Sequence, residues 1–302
     1  MRTLHHVIIP TVALFLIAIA PVCGVAAEKI RVLIVDGQNN HNWQAMTPPM
    51  KATLEKSGRF TVEVATTPGN KAPQADWATF RPDFSKHDVV LSNYNGQAWP
   101  ADVQAALEKF VGNGGGLAII HAANNAFPDW PAWNQMIGLG WRANNYGDRV
   151  SLNDKGDLVR TPKGEGPGAG HGPQHEYAVV VRDREHPVTK GMPVEWMHTK
   201  DELYHGQRGP AASMHILATA YSSKDQKGTG DHEPIIWWIP YGKGRVFTTV
   251  LGHVGGNENV AIRCVGFNTV LLRGTEWAAT GNVTIPIPDN FPTADKTSVT
   301  AD

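Results

Sequence analysis

The chain has 302 residues, 41% hydrophobic and 18% charged, with a formal net charge of −1. That composition is ordinary for a globular protein, and the length suits one large or two small domains. There is no basic excess to hold nucleic acid or an anionic membrane surface.

The first 27 residues, "MRTLHHVIIPTVALFLIAIAPVCGVAA", carry one early arginine, an apolar run from Val7 to Ala20 and small residues up to Ala27. This is a secretory signal pattern with a cut expected after Ala27, which places the mature chain in the periplasm or medium. Pro10 and Pro21 interrupt the apolar stretch and leave it short for a membrane span. Cleavage leaves a net charge near −2 and one cysteine, Cys264. An exported chain with one thiol has no internal disulfide, so its core must hold the fold unaided. The expected organisation is a signal peptide (1–27), one domain (28–284) and a tail (285–302).

"KIRVLIVDG" predicts a buried strand over Ile30–Val35, because continuous β-branched residues suit a parallel sheet covered on both faces. Thr47-Pro48 predicts a helix start, and Gly58 its end. Further strands are expected at Phe60–Ala65, Val89–Ser92 and "LAIIH", with an amphipathic helix over Ala101–Val111. This alternation implies a doubly wound, mostly parallel sheet with helices on both faces. Later strands are expected at Tyr177–Val181, Ile216–Ala220, Pro234–Ile239 and Arg245–Val250, then a last helix over Val260–Thr280. From Ile285 onward the proline-bearing tail has little core potential. Residues Trp141 to His175 show seven glycines and no periodicity. A segment of that kind in a compact domain is most often a binding loop, and a loop over a site is expected here.

In open α/β sheets, ligands bind beyond the carboxyl ends of the strands. Asn39, Asn40, His41 and Trp43 follow the first strand. Asn93 and Asn95 follow the third. His121, Asn124, Asn125, Asp129 and Trp130 follow the fourth, and His253 follows the last. Asparagine amides match hydroxyls as donors and acceptors, and aromatic rings match apolar sugar faces. The ligand expected is therefore a small carbohydrate or polyol, held by Asn40, Trp43, Asn93, Asn95, Asn124, Asp129, Trp130, His175, Glu176 and His253. Asp201 and Glu202 in "HTKDELYHG" are adjacent acids, either a general base or the charged start of a helix. No cofactor is fixed by motif. A divalent metal needs three or four convergent ligands, and His41, His121, His253 and one acid are the candidate set. The bland alternatives are caps, turns and satisfied core histidines. There is no G-x-S-x-G elbow, no H-E-x-x-H and no P-loop. Cys264, among Ala261, Ile262, Val265 and Phe267, reads as a packed small hydrophobe.

Taken in order, "RVLIVDGQNNHNW", "GGGLAIIHAANNAFPDWP", "MIGLGW", "HPVTKGMP", "KDELYHG", "HILATA" and "YGKGRVFTTVLGH" resemble the ThuA-like family, named for trehalose utilisation. The resemblance spans about Ile30 to Gly281. It implies a three-layer, flavodoxin-like fold related to class I glutamine amidotransferases, whose catalytic cysteine follows the strand equivalent to "LAII". Here His121 stands in that place, which implies loss of glutamine hydrolysis. The resemblance also implies sugar metabolism, including 3-keto-sugar pathways. Family motifs map onto His41, His121, Asp201, Glu202 and His253. The expectation is an exported protein that processes a disaccharide or its 3-keto form by acid/base chemistry, as a hydrolase, lyase or isomerase. His121, Asp201, Glu202 and His41 would carry the chemistry. The alternatives are a non-catalytic carbohydrate-binding protein and a metal-dependent sugar hydrolase.

Overall fold

Alternate residues of one strand enter two different cores, which is the organising fact of the fold. The computed structural model describes residues 28–256 and 258–300; the signal segment lies outside them. In chain order the elements are β1 (Ile30–Asp36), α1 (Trp43–Lys56), β2 (Phe60–Thr66), α2 (Gln74–Thr79), β3 (Val89–Ser92), α3 (Ala101–Gly112), β4 (Gly116–Ile120) and α4 (Pro131–Ile137). Then come β5 (Asp148–Leu152), β6 (Leu158–Thr161), β7 (Gly170–His171), β8 (His175–Val181), β9 (Glu195–Asp201), β10 (Tyr204–His205) and β11 (Arg208–Gly209). The chain continues with β12 (His215–Tyr221), β13 (His232–Tyr241), β14 (Gly244–Thr249), α5 (Val260–Arg263) and α6 (Val265–Thr280).

The sheet runs β2-β1-β3-β4-β14-β13-β12-β8-β9. The pairs from β2 to β14 are parallel, and those from β14 to β9 are antiparallel. Side chains alternate across a strand. Ile30, Val32 and Ile34 therefore pack with Met46 and Met50 of α1 and Phe267 of α6. Leu33 and Val35 pack on the other face with Val103 and Leu107 of α3 and Trp133 of α4. The result is the expected three-layer, flavodoxin-like sandwich. No helix among the described residues is long and apolar enough to cross a membrane.

Three expectations change. Helix α1 begins at Trp43, not at Thr47, and holds Pro48 and Pro49 within it. Its cap is Asn42, whose side chain accepts from Ala45 N and whose own N–H donates to Val254 O at 3.0 Å. That tertiary bond fixes the start despite the prolines. The last helix is interrupted at Cys264, which is extended (φ −58°, ψ 125°) and pairs with Val299. The tail is docked rather than loose. Val265 N–H donates to Ser298 O, Met197 N–H donates to Thr293 O, and Phe291 sits in the core 5.4 Å from the Trp196 ring.

The segment from 141 to 175 is not structureless. It carries the β5–β6 hairpin and pairs β7 with β10. Arg208, fully buried, donates from its guanidinium to carbonyls of Gly147, Pro162, Glu165 and Pro167. One side chain thus ties the segment at four points.

Phe291→Ala is expected to lower the unfolding free energy by roughly 3 kcal/mol, the range for emptying a buried aromatic site. Urea denaturation reads this, and a loss within about 0.5 kcal/mol would mark the tail as independent of the core.

Candidate functional site

The loops after β1, β4, β9 and β14 bring His41, His121, Glu202 and His253 together at one end of the sheet. One ligand atom from each lies within 4.8 Å of the others. Glu202 is the centre. Its Oε2 stands 3.2 Å from His253 Nδ1, 3.4 Å from His41 Nε2 and 3.7 Å from His121 Nε2. Its Oε1 stands 3.4 Å from His171 Nε2.

His121 follows β4 with φ +48°, in the left-handed region that side chains other than glycine avoid. Such backbone costs on the order of 1–3 kcal/mol and persists only where surroundings hold it. The holding bond is His121 Nδ1 to Val250 O at 2.7 Å. With Nδ1–H donated there, Nε2 presents a bare lone pair to the cluster. Burial, and then the charge of His41, lowers the His121 pKa to about 4, so the ring is neutral near pH 7. Tyr204 Oη lies 3.3 Å from the same Nε2.

Glu202 is placed by its neighbour. Asp201, fully buried, accepts from Glu202 N at 2.7 Å, His253 N at 3.1 Å, Gly252 N at 2.8 Å and His198 Nε2 at 2.7 Å. It locks the end of edge strand β9 to the loop after β14. Burial acts to raise its pKa, and His198 with Gly252 N–H draws it below the ordinary range. For Glu202 burial also opposes charge, but His253 and His41 beside it hold the carboxyl well below the usual range. Asp201 has no oxygen left for a substrate, whereas Glu202 lines the cavity. Cys264 is buried behind this layer, and the His198 imidazole outweighs burial to draw its thiol down to about 7.

The cavity, about 400 Å³, is lined by Asn40, His41, Asn95, Asn125, Trp141, His171, Glu202 and Tyr204. The structure thus brings together Asn40, His41, Asn95 and Glu202 there, with His121 and His253 directly behind. It does not bring the others. Trp130 lies in the aromatic core with Phe127 and Trp133, its indole donating to Glu108. Asn93 is buried, donating to Thr47 Oγ1, and Asn124 is buried against Gln207. Trp43 opens α1, Asp129 is an exposed turn residue, and His175 and Glu176 begin β8. Trp141 and Tyr204 carry no strand-end signal in the sequence, and His171 stands there only as one of two histidines in "HGPQHE". A signal for His171 existed in its glycine bracket, "GHG". A Cβ on Gly172 would stand 1.7 Å from Gln226 O, so this strand must approach its neighbours closely.

The donor set fits a divalent transition metal. A tetrahedral ion bound at ~2.0–2.1 Å holds its ligands about 3.3 Å apart, close to the contacts around Glu202 Oε2. The Val250 carbonyl behind His121 is the outer partner that ligating imidazoles need.

The fold is a flavodoxin-like sandwich with a histidine on the strained turn after its fourth strand and an imidazole–carboxylate cluster at one end of the sheet. The chain belongs to the ThuA family, trehalose utilisation, whose family model matches residues 31–278. It is 44% identical to a ThuA-like protein of Parabacteroides merdae, with TM-score 0.86 over 90% of this chain and 98% of that one. A ThuA-like protein of Bacteroides uniformis shares the fold at 19% identity and TM-score 0.54, over 88% and 97% of the two chains. No protein of curated function matches.

At φ +48° a glycine relaxes strain that alanine keeps. His121→Gly is therefore expected to be about 1 kcal/mol more stable than His121→Ala, the reverse of the usual order. Urea midpoints of the two variants test this, and an alanine variant of equal or greater stability would show that the turn relaxes.

Proposed function

We propose that the chain is an exported carbohydrate-processing enzyme. It acts on a disaccharide, or the 3-keto form of one, by acid/base chemistry in the 400 Å³ cavity. The observation that carries this is the meeting of three histidines on one carboxylate oxygen at the floor of a polar, aromatic-walled cleft. Family membership supports a carbohydrate ligand.

His41, His121, Glu202 and His253 are the residues that would hold a divalent ion. Such an ion polarises a sugar oxygen or activates a water. His121 serves as a neutral, fixed imidazole rather than a proton carrier, because it is 1% exposed and its Nδ1 is committed to Val250. Glu202 Oε1, facing His171 and not shared with the three histidines, is the oxygen left to accept a hydrogen bond from a sugar hydroxyl or from the water that an ion would activate, orienting it at the reacting carbon. Asp201 acts through position alone. Glutamine hydrolysis is not expected, since His121 occupies the nucleophile turn and Cys264 is fully buried.

The test uses the purified chain loaded with zinc or manganese and incubated with trehalose, 3-keto-trehalose and glutamine. Turnover of a sugar is expected, falling by ~10²-fold or more in Glu202→Gln and His41→Ala. Elemental analysis should find about one metal per chain, lost in His41→Ala. Sugar binding without turnover in every metal loading would instead identify an accessory binding protein. Unchanged turnover in Glu202→Gln would move the chemistry elsewhere.

Export rests on the signal pattern before Glu28. Mass spectrometry of fractionated cells is expected to find the mature chain starting at Glu28 outside the cytoplasm. A cytoplasmic chain retaining Met1 would overturn it.

A further inference from the structure

We propose that Trp141, backed by the buried Tyr204 ring and flanked by His171, is the platform on which one sugar ring lies, with its hydroxyl edge read by the amides of Asn40 and Asn95. These two walls, rather than the histidine cluster, select the sugar. The proposal rests on the carbohydrate reading above and adds to it the sub-site and the class of ligand, a pyranose ring with a continuous C–H face.

The lining divides by chemistry. On one side the Trp141 and Tyr204 rings meet edge to face, with centroids 4.7 Å apart at 68°, and the His171 ring lies 5.7 Å from Trp141. Tyr204 is buried, 1% exposed, with its hydroxyl at His121 and its ring 4.7 Å from that of His121 and 6.3 Å from that of His171, so it serves as the fixed backing of Trp141 and offers no face of its own. Trp141 is half-buried, backed by the core and bordering the cavity. A rigid aromatic surface of this kind suits the apolar face of a pyranose and gains little from an acyclic polyol, which has no such face.

On the other side Asn95 Nδ2 donates to Asn40 Oδ1 at 2.6 Å. That bond uses one donor and one acceptor. It leaves the Asn40 amide hydrogens and the Asn95 carbonyl oxygen for hydroxyls, which both give and accept. The two amides come from the loops after β1 and β3, which Asn39 Nδ2 joins by donating to Asn93 O at 3.3 Å. The aromatic and amide groups thus come from different parts of the chain, and Glu202 and His41 line the same cavity. At about 400 Å³ the cleft sits toward the small end of the ~300–1,000 Å³ range of small-molecule sites. It suits a short sugar rather than a long chain.

The test is titration calorimetry of the metal-loaded chain with trehalose, methyl glucoside and mannitol. The ring sugars are expected to bind, and mannitol at least ~10-fold more weakly. Trp141→Leu keeps apolar volume and removes the aromatic face. It should weaken ring-sugar binding ~10-fold or more while the unfolding midpoint and metal content stay unchanged. Trp141→Tyr should restore most of the binding, and Asn95→Ala should weaken it. Wild-type binding in Trp141→Leu would overturn the platform. So would equal loss in the Leu and Tyr variants with a lowered unfolding midpoint, which marks a packing role. If the wild-type chain binds and turns over none of these sugars, the carbohydrate reading itself fails, a result separate from either of those.

Discussion

The site depends on a single buried carboxylate. Asp201 lies at the end of β9, the far edge strand of the sheet, yet it binds the backbone of Gly252 and His253 beyond β14. Without that clamp nothing holds Glu202 among histidines that come from the other half of the molecule. An ionised carboxylate at 0% exposure is costly unless each oxygen is satisfied. Here both oxygens are, by three N–H groups of the backbone and by His198. The acid that seemed equivalent to Glu202 in the sequence is therefore the frame, and Glu202 is the carboxylate that faces the cavity.

Pre-organisation continues at His121. The turn after β4 stores strain, and the Val250 carbonyl takes the proton of Nδ1. The imidazole arrives in one tautomer and one orientation. A neutral, aimed ring has low reorganisation cost whether it binds an ion or a ligand oxygen. The turn after β4 is thereby a fixed point of the site.

The long glycine-rich segment adds what the parallel half lacks. Its loop supplies Trp141 and His171, and Arg208 pins its backbone through carbonyls. Order in that segment comes from the β5–β6 hairpin and its pairing with β11 and β13, from one buried guanidinium and from a two-residue pairing of β7 with β10. Such order leaves almost no trace in local sequence.

The sequence alone determined the layered α/β architecture, because β-branched runs alternating with amphipathic helices can bury their faces in few ways. It also put forward His41, His121 and His253, since loops after parallel strands share one edge of the sheet, and Asp201 with Glu202 as an undivided pair of adjacent acids. Tertiary structure decided the rest. Trp130 and Trp141 look alike as exposed-or-buried aromatics in a string of letters, but only packing sends the first to the core and the second to the cavity. His175 and His171 stand four residues apart, and the pairing of β7 with β10 chose His171. The separate roles of Asp201 and Glu202 follow from which carboxylate meets backbone N–H groups from 50 residues away, a contact no local pattern encodes.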